Sequence, residues 1–302
     1  MRIFIIAILS VIVPLSGCAD NRVDPYFAVA ADFPSYDALR AIIGSDEDIL
    51  MLLPPGTESH GYEPTPKDMI AISDASIVVY TGGHSQEWME RLLSSDDNPP
   101  MAFRLIDQVE LLSEEHREGM EDDEHNHGID EHVWTSIPNE IAIISNLADV
   151  LSEADSSRRE LFQANAAAYI HELRTLDSEI RDIISSSRLD TLIFASRFPL
   201  LYFAREYGVE YYAAFPGCAE ETEPSARTIA FLIDKAKELG TKYVLNIELS
   251  SSLIARTIAE EAGCGVLVFN SMHNITRTDF MNGETYITLM ERNAEVLKEA
   301  LS

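Results

Sequence analysis

Basic residues are scarce in this chain. Its 302 residues include 22 lysines and arginines against 51 aspartates and glutamates, a formal net charge of −29. Such a surface repels phosphate backbones and anionic lipid head groups and attracts cations, which excludes nucleic-acid binding as a function. Cysteine is sparse too, with Cys18 near the N-terminus and only Cys218 and Cys264 beyond it. Those two are able to pair in an oxidising compartment, but sequence does not show whether their Cα atoms come within the ~4.4–6.8 Å a bridge requires. Long apolar runs are missing: Ile3 to Leu15 is roughly a dozen residues, short of the ~20 that span a bilayer. What the chain does have is length for two ordinary domains and a 46% hydrophobic content, enough for a substantial core.

The N-terminal "MRIFIIAILSVIVPLSGCAD" has one cationic residue, Arg2, ahead of that apolar run, the pattern of a signal-peptide core. Its end, Leu15-Ser16-Gly17-Cys18, resembles the lipobox of bacterial lipoproteins. The resemblance implies lipidation of Cys18, residues 1–18 as leader and lipobox, and residues 19–25 as a polar tether. A plain cleaved signal or an N-terminal anchor is the alternative. On the lipobox reading the mature protein is extracytoplasmic and lipid-anchored to a bacterial membrane, in the periplasm or at the cell surface.

Beyond the tether, apolar strand-like segments alternate with helical patterns. "YFAVAAD", "DILMLLP", "SIVVYTGG" and "MAFRLID" read as strands, interleaved with "SYDALRAIIG", stopped by Gly44, "PTPKDMIAISDA" and "SQEWMERLLSS" as helices. The alternation resumes with "DTLIFAS", "VEYYAAFPG", "KYVLNIEL" and "GVLVFN", and a terminal helix closes the chain. Strands alternating with helices imply parallel βα units. Between the two series, a pattern from Asp155 runs for about 30 residues without Gly or Pro. At ~1.5 Å per residue it is over 40 Å long, a spine joining two lobes. The predicted architecture is therefore α/β: two lobes, each a parallel-rich sheet flanked by helices, joined by a single long backbone helix. The expected boundaries are residues 26–154 for the first lobe, with an acidic histidine loop at 113–132, 155–187 for the linking helix and 188–302 for the second lobe. Ligands of open parallel sheets sit at the carboxyl ends of the strands.

Three histidines fall in loops at such ends or at helix starts: His60 in "LPPGTESHGYEPTPKD", His132 in "DEHVWTS" and His273 in "FNSMHNIT". Neutral imidazole suits borderline cations, and zinc is held by three or four N, O or S ligands. Taken alone, each histidine is better read as a surface or hydrogen-bonded loop residue. In combination, "HGYEPTPKDMIAISDASIVVYTGG", "DEHVWTSIPN", "YFAREYG", "ETEPSARTIAFLIDKAKELG" and "ELSSSLIARTIAEEAG" resemble the solute-binding lipoproteins of zinc and manganese ABC transporters, the cluster containing the ZnuA type. The resemblance covers nearly the whole mature chain and implies two α/β lobes bridged by one rigid helix.

It also implies that His60 and His132 ligate the metal directly. The second lobe departs from the pattern. Arg197 stands where the family usually places a ligating histidine or glutamate, and an arginine cannot ligate; Asn270 stands at the position often acidic. His273, and with it Glu248 at the end of "YVLNIEL", are the substitutes expected to close the site, although Glu248 is equally read as a partner of Arg197 or a helix cap. His116, His125 and His127 in the 113–132 segment resemble an accessory metal-collecting loop, or a solvated acidic one. His84 follows a strand and is a weaker cleft candidate; His171 is read as structural, and Tyr211, Tyr212 and Trp134 as cleft wall or core.

The expected function is an extracytoplasmic, non-enzymatic receptor, acting as a monomer, that captures Zn²⁺ and delivers it to an ABC permease and its ATPase. Zn²⁺ is favoured over Mn²⁺, the alternative cargo, because manganese prefers more carboxylate oxygen. Two other readings stand beside it. A zinc-dependent hydrolase needs an open coordination position and a general base, and no H-E-x-x-H pair is present. A receptor for an organic anion, or an adhesin, would use Arg197 to grip a carboxylate.

Overall fold

The computed structural model describes residues 26–57, 62–121, 128–217 and 223–302. Cys18, His60, His125, His127 and Cys218 lie outside the described residues. Among the described residues the partly buried Cys264 has no disulfide partner.

The first lobe is built from β1 (Ala28–Ala30), α1 (Phe33–Ile43), β2 (Ile49–Met51), α2 (Pro66–Asp74), β3 (Ile77–Tyr80), α3 (Glu87–Ser95) and β4 (Met101–Arg104). Its four strands are parallel in the order β2-β1-β3-β4. The local chemistry matches the sequence signals. Gly44 ends α1 in the left-handed region at φ 76°, which glycine adopts without a Cβ penalty. Thr65 and Asp68 form a reciprocal capping box at the start of α2, with Pro66 in its first turn.

Then α4 (Ile137–Ala154) and α5 (Arg159–Ser186) lead to the second lobe. That lobe contains β5 (Thr191–Phe198), α6 (Leu201–Tyr207), β6 (Glu210–Pro216), α7 (Ala226–Leu239), β7 (Tyr243–Ile247), α8 (Ser252–Ala262), β8 (Gly265–Phe269), the short α9 (Arg277–Met281) and α10 (Tyr286–Ala300). Its sheet is also four-stranded and parallel, in the order β6-β5-β7-β8.

The 28-residue α5, about 42 Å long at ~1.5 Å per residue, is the spine. Phe162, Ala166, Leu173, Leu176, Ile180 and Ile183 form its buried stripe, at the three- and four-residue spacing of one helix face. Its first half docks on α1, where Tyr169 donates a hydroxyl hydrogen bond to Asp37 (2.9 Å) and Asn165 to the Ile42 carbonyl (3.0 Å). Its second half holds α6, through Tyr207 to Asp177 (2.8 Å) and the Arg181–Glu206 ion pair. One continuous apolar core runs through both lobes beneath this helix, and each sheet has a smaller cluster on its other face.

The segment after β4 crosses to the second lobe. Ser113 and Ile129 pair as an antiparallel bridge, and the Tyr202 hydroxyl accepts from Leu112 N and donates to the Asp130 carbonyl, both at 3.0 Å. Arg117 pairs with Glu210 and lies over the Tyr211 ring, Arg205 pairs with Glu115, and Glu121 N donates to Ala214 O at 2.9 Å. The edge of β6, otherwise a row of unpaired backbone groups, is thereby covered.

At the junction of α1, α4 and α10, Glu140 is 2% exposed, and its Oε2 has no hydrogen-bond partner among the described residues. Burial, with the nearby charge of Asp37, pushes its carboxyl well above the ordinary range. Between the unfolded and folded pKa the native state binds the extra proton, so its contribution to stability falls as pH rises through that window. Glu140→Gln is therefore expected to raise the thermal midpoint more at pH 8 than at pH 5. The difference should shrink towards zero near pH 4.5, checked by melts across that range.

Candidate metal site

The floor of the cleft is organised from the carboxyl ends of β1 and β3. Asp32, 1% exposed, caps α1 by accepting from Ser35 N (3.0 Å) and also accepts from Thr81 Oγ1 (2.6 Å) and Gln86 Nε2 (2.7 Å). One carboxylate thus ties the loop after β3 to the end of β1. That loop also meets the segment before α4, where Ser85 N donates to Glu131 Oε1 at 3.1 Å. Gly83, at φ 78°, leaves room for this approach, since a Cβ there would sit 2.3 Å from Glu131 Oε1.

His132 is fully buried. Its backbone N–H (2.8 Å) and its Nδ1 (2.9 Å) both reach Asp130 Oδ1. An ionised carboxylate only accepts, so Nδ1 carries the proton and Nε2 is left with its lone pair. Among the described residues Nε2 has no hydrogen-bond partner. A buried acceptor left unpaired costs about 1–3 kcal/mol, so the arrangement suits an electron-pair acceptor at that nitrogen.

His273, from the loop after β8 and 7% exposed, faces it. The two imidazoles lie 4.9 Å apart between ring centroids at an interplanar angle of 88°. Trp134 stands 5.4 Å from each ring and donates its indole N–H to the Ser271 carbonyl at 2.9 Å. The His132-bearing turn is thereby fastened to the His273-bearing loop. The cavity beside His273, lined by Ala31, Leu53, Tyr62, Ser85, Gln86 and Trp88, holds about 10 Å³. Organic ligands occupy pockets of roughly 300–1,000 Å³, far more than this space among the described residues.

The other candidates are placed as follows. Glu248 is buried and engages Ser271 with both oxygens, accepting from its N (2.6 Å) and its Oγ (2.7 Å). Burial pushes its carboxyl up, against the opposing pull of the Ser271 bonds and the Arg197 charge. Arg197 lines a different cavity, of about 190 Å³, with Ser196, Ser250 and Ser251. Asn270 is spent on α10: its N and Nδ2 donate to Asn293 Oδ1 (2.8 and 3.2 Å), and Asn293 returns a bond to its carbonyl. His116 is exposed, with Nε2 3.1 Å from Glu121 O. His84 is exposed beside Glu87, and His171 is exposed on α5. Trp134 and Tyr211 are core residues, 0% and 2% exposed, and Tyr212 packs against Phe231. Among the described residues no three His, Cys, Asp or Glu side chains converge as a metal-holding group; of the candidate ligands, His132 and His273 are the described side chains that meet.

Asp32, Asp130, Glu131 and Ser271 were not singled out from sequence. Only Asp130 left a signal there, two residues before His132 in "DEH", a spacing that lets one oxygen reach both a backbone and a ring nitrogen.

The model of the family described as zinc-uptake complex component A, periplasmic, matches residues 29–300. The zinc-binding lipoprotein AdcA of Streptococcus pneumoniae is 31% identical over 276 residues, covering 90% of this chain and 55% of that protein. The chain thus spans about half the length of these streptococcal relatives. The high-affinity zinc uptake system protein ZnuA of Bacillus subtilis is 29% identical over 290 residues, covering 94% of this chain and 90% of that one. The crystal structure of the Zn(II)-bound ZnuA-like domain of S. pneumoniae AdcA superposes with a TM-score of 0.77 at 28% identity, covering 92% of this chain and 99% of that chain.

Removing the carboxylate that fixes the His132 tautomer should weaken metal binding. For Asp130→Ala the expected loss of Zn²⁺ affinity is about 10–100-fold, measured by competition with a chromophoric chelator.

Proposed function

The chain belongs to the zinc-uptake complex component A family, and from that premise we propose that it is an extracytoplasmic receptor that binds Zn²⁺ and hands it to an ABC permease and its ATPase. The observation that carries the reading is the buried His132 with an unbonded Nε2, its tautomer fixed by Asp130, facing His273 from the other lobe. His132 and His273 are the described ligands in this proposal, and His60 completes the set from outside the described residues. A histidine-rich set favours Zn²⁺ over Mn²⁺, which prefers carboxylate oxygen. Anchorage by lipid at Cys18, with residues 19–25 as tether, is part of the same reading and rests on the lipobox. No helix among the described residues is long and apolar enough to cross a membrane. Collection of cations by His116, His125 and His127 is likewise proposed, as is action as a monomer. The named relatives are binding and uptake proteins, which lends nothing to the hydrolase alternative.

The test is titration of Zn²⁺ into the metal-free protein beside His132→Ala and His273→Ala. One tight site is expected in the wild type, weakened at least 100-fold in each variant. Ligation needs neutral imidazole, and an unperturbed imidazole titrates near 6.5. Zn²⁺ affinity is therefore expected to fall steadily as pH drops from 7 to 5. Affinity unchanged across that range, or in both variants, would exclude histidine ligation.

A further inference from the structure

The loop that presents His273 has an unusual backbone. Met272, immediately before it, adopts φ 60°, the left-handed region that a side chain with a Cβ occupies at a cost of about 1–3 kcal/mol. Such a conformation persists only where neighbours over-determine it, and Ser271 is held on every polar group. Its N–H and hydroxyl donate to the two oxygens of Glu248, its carbonyl accepts from the Trp134 indole, and its Oγ accepts from the His273 N–H at 3.4 Å. Glu248 is itself fixed at the end of β7 and is 8% exposed.

We infer that Glu248 is a positioning residue: its carboxylate clamps Ser271, and the clamp holds the Met272 turn so that the His273 imidazole is aimed at His132. This rests on the reading of His273 as a metal ligand. It assigns Glu248 a task other than ligation: each of its oxygens accepts from Ser271, and among the described residues Glu248 does not converge with His132 and His273 as a metal-holding group. The second lobe then offers the ion an imidazole rather than a carboxylate.

The experiment uses Zn²⁺ affinity together with the visible absorption of bound Co²⁺, whose band envelope reports the ligand set. The variants are Glu248→Gln, Ser271→Ala, Ser271→Thr and His273→Ala, each checked for folding by near-UV circular dichroism. A clamp predicts that Glu248→Gln and Ser271→Ala each weaken Zn²⁺ binding by about 10–100-fold. Their combination should lose little more than either alone, and Ser271→Thr, which keeps the hydroxyl, should recover most of the loss. The Co²⁺ envelope should stay as in the wild type for both clamp variants and change for His273→Ala. An envelope altered by Glu248→Gln but not by Ser271→Ala would make Glu248 a ligand and overturn the clamp. Unchanged affinity in Ser271→Ala, with binding lost in His273→Ala, would overturn the clamp alone. Unchanged affinity and envelope in His273→Ala would remove the underlying reading and the clamp with it. Ser271→Ala is the milder change, so a folding failure of Glu248→Gln leaves the question decided by the serine variants.

Discussion

The hydrogen bond from the Trp134 indole to the Ser271 carbonyl is the constraint on which the site depends. It joins the turn before α4, which carries His132, to the loop after β8, which carries His273. Trp134 sits in a single 3₁₀ turn, Val133–Thr135, and Ser271 lies in a loop outside any helix or strand. The bond is supported from behind: Trp134's own carbonyl accepts from the Tyr286 hydroxyl at 2.8 Å, and Tyr286 N donates to Asp37 at 3.0 Å. Asp37 in turn accepts from Tyr169 of the spine helix. A line of hydrogen bonds, part-buried at Tyr169 and buried from Asp37 inward, therefore runs from the long helix to the segments that carry the two imidazoles. The spacing of the lobes and the facing of the rings are set by one connected structure.

Around that junction, acidic groups do different work according to where they lie. Asp130 selects the tautomer of His132, Asp32 gathers the loops after β1 and β3, and Glu248 holds the loop of His273. These carboxylates are buried and bonded, as burial demands of charged groups. Most of the remaining acids contribute to a net charge of −29, which draws cations towards the molecule without specifying which.

Much of the fold was legible. All eight strands follow apolar runs bounded by turn residues, Gly44 and Thr65-Pro66 mark helix ends where they were read, and the pattern free of Gly and Pro forms the spine. The helix proper begins at Arg159 because Asp155 caps a short 3₁₀ turn ahead of it instead, accepting from Ser157 N. The crossing of residues 112–121 onto the second lobe was not legible. Its contacts, such as Arg117 with Glu210, pair residues 93 apart in sequence, and periodicity carries no information at that range. Of the proposed ligands, His132 and His273 meet across the lobes, but Ser271 carries no signal in the sequence. Serine is common in loops, and its importance comes only from the three partners that converge on it. The sequence offers Glu248 as a ligand, a partner of Arg197 or a helix cap, and in the structure both of its oxygens accept from Ser271.

The most direct measurement is a crystal structure of the zinc-loaded protein with anomalous data collected across the zinc absorption edge. One full-occupancy anomalous peak is expected within about 2.0–2.1 Å of His132 Nε2 and bonded to a nitrogen of His273, with Glu248 still on Ser271. A peak elsewhere, or none in the presence of saturating zinc, would contradict the assignment of this cleft as the metal site.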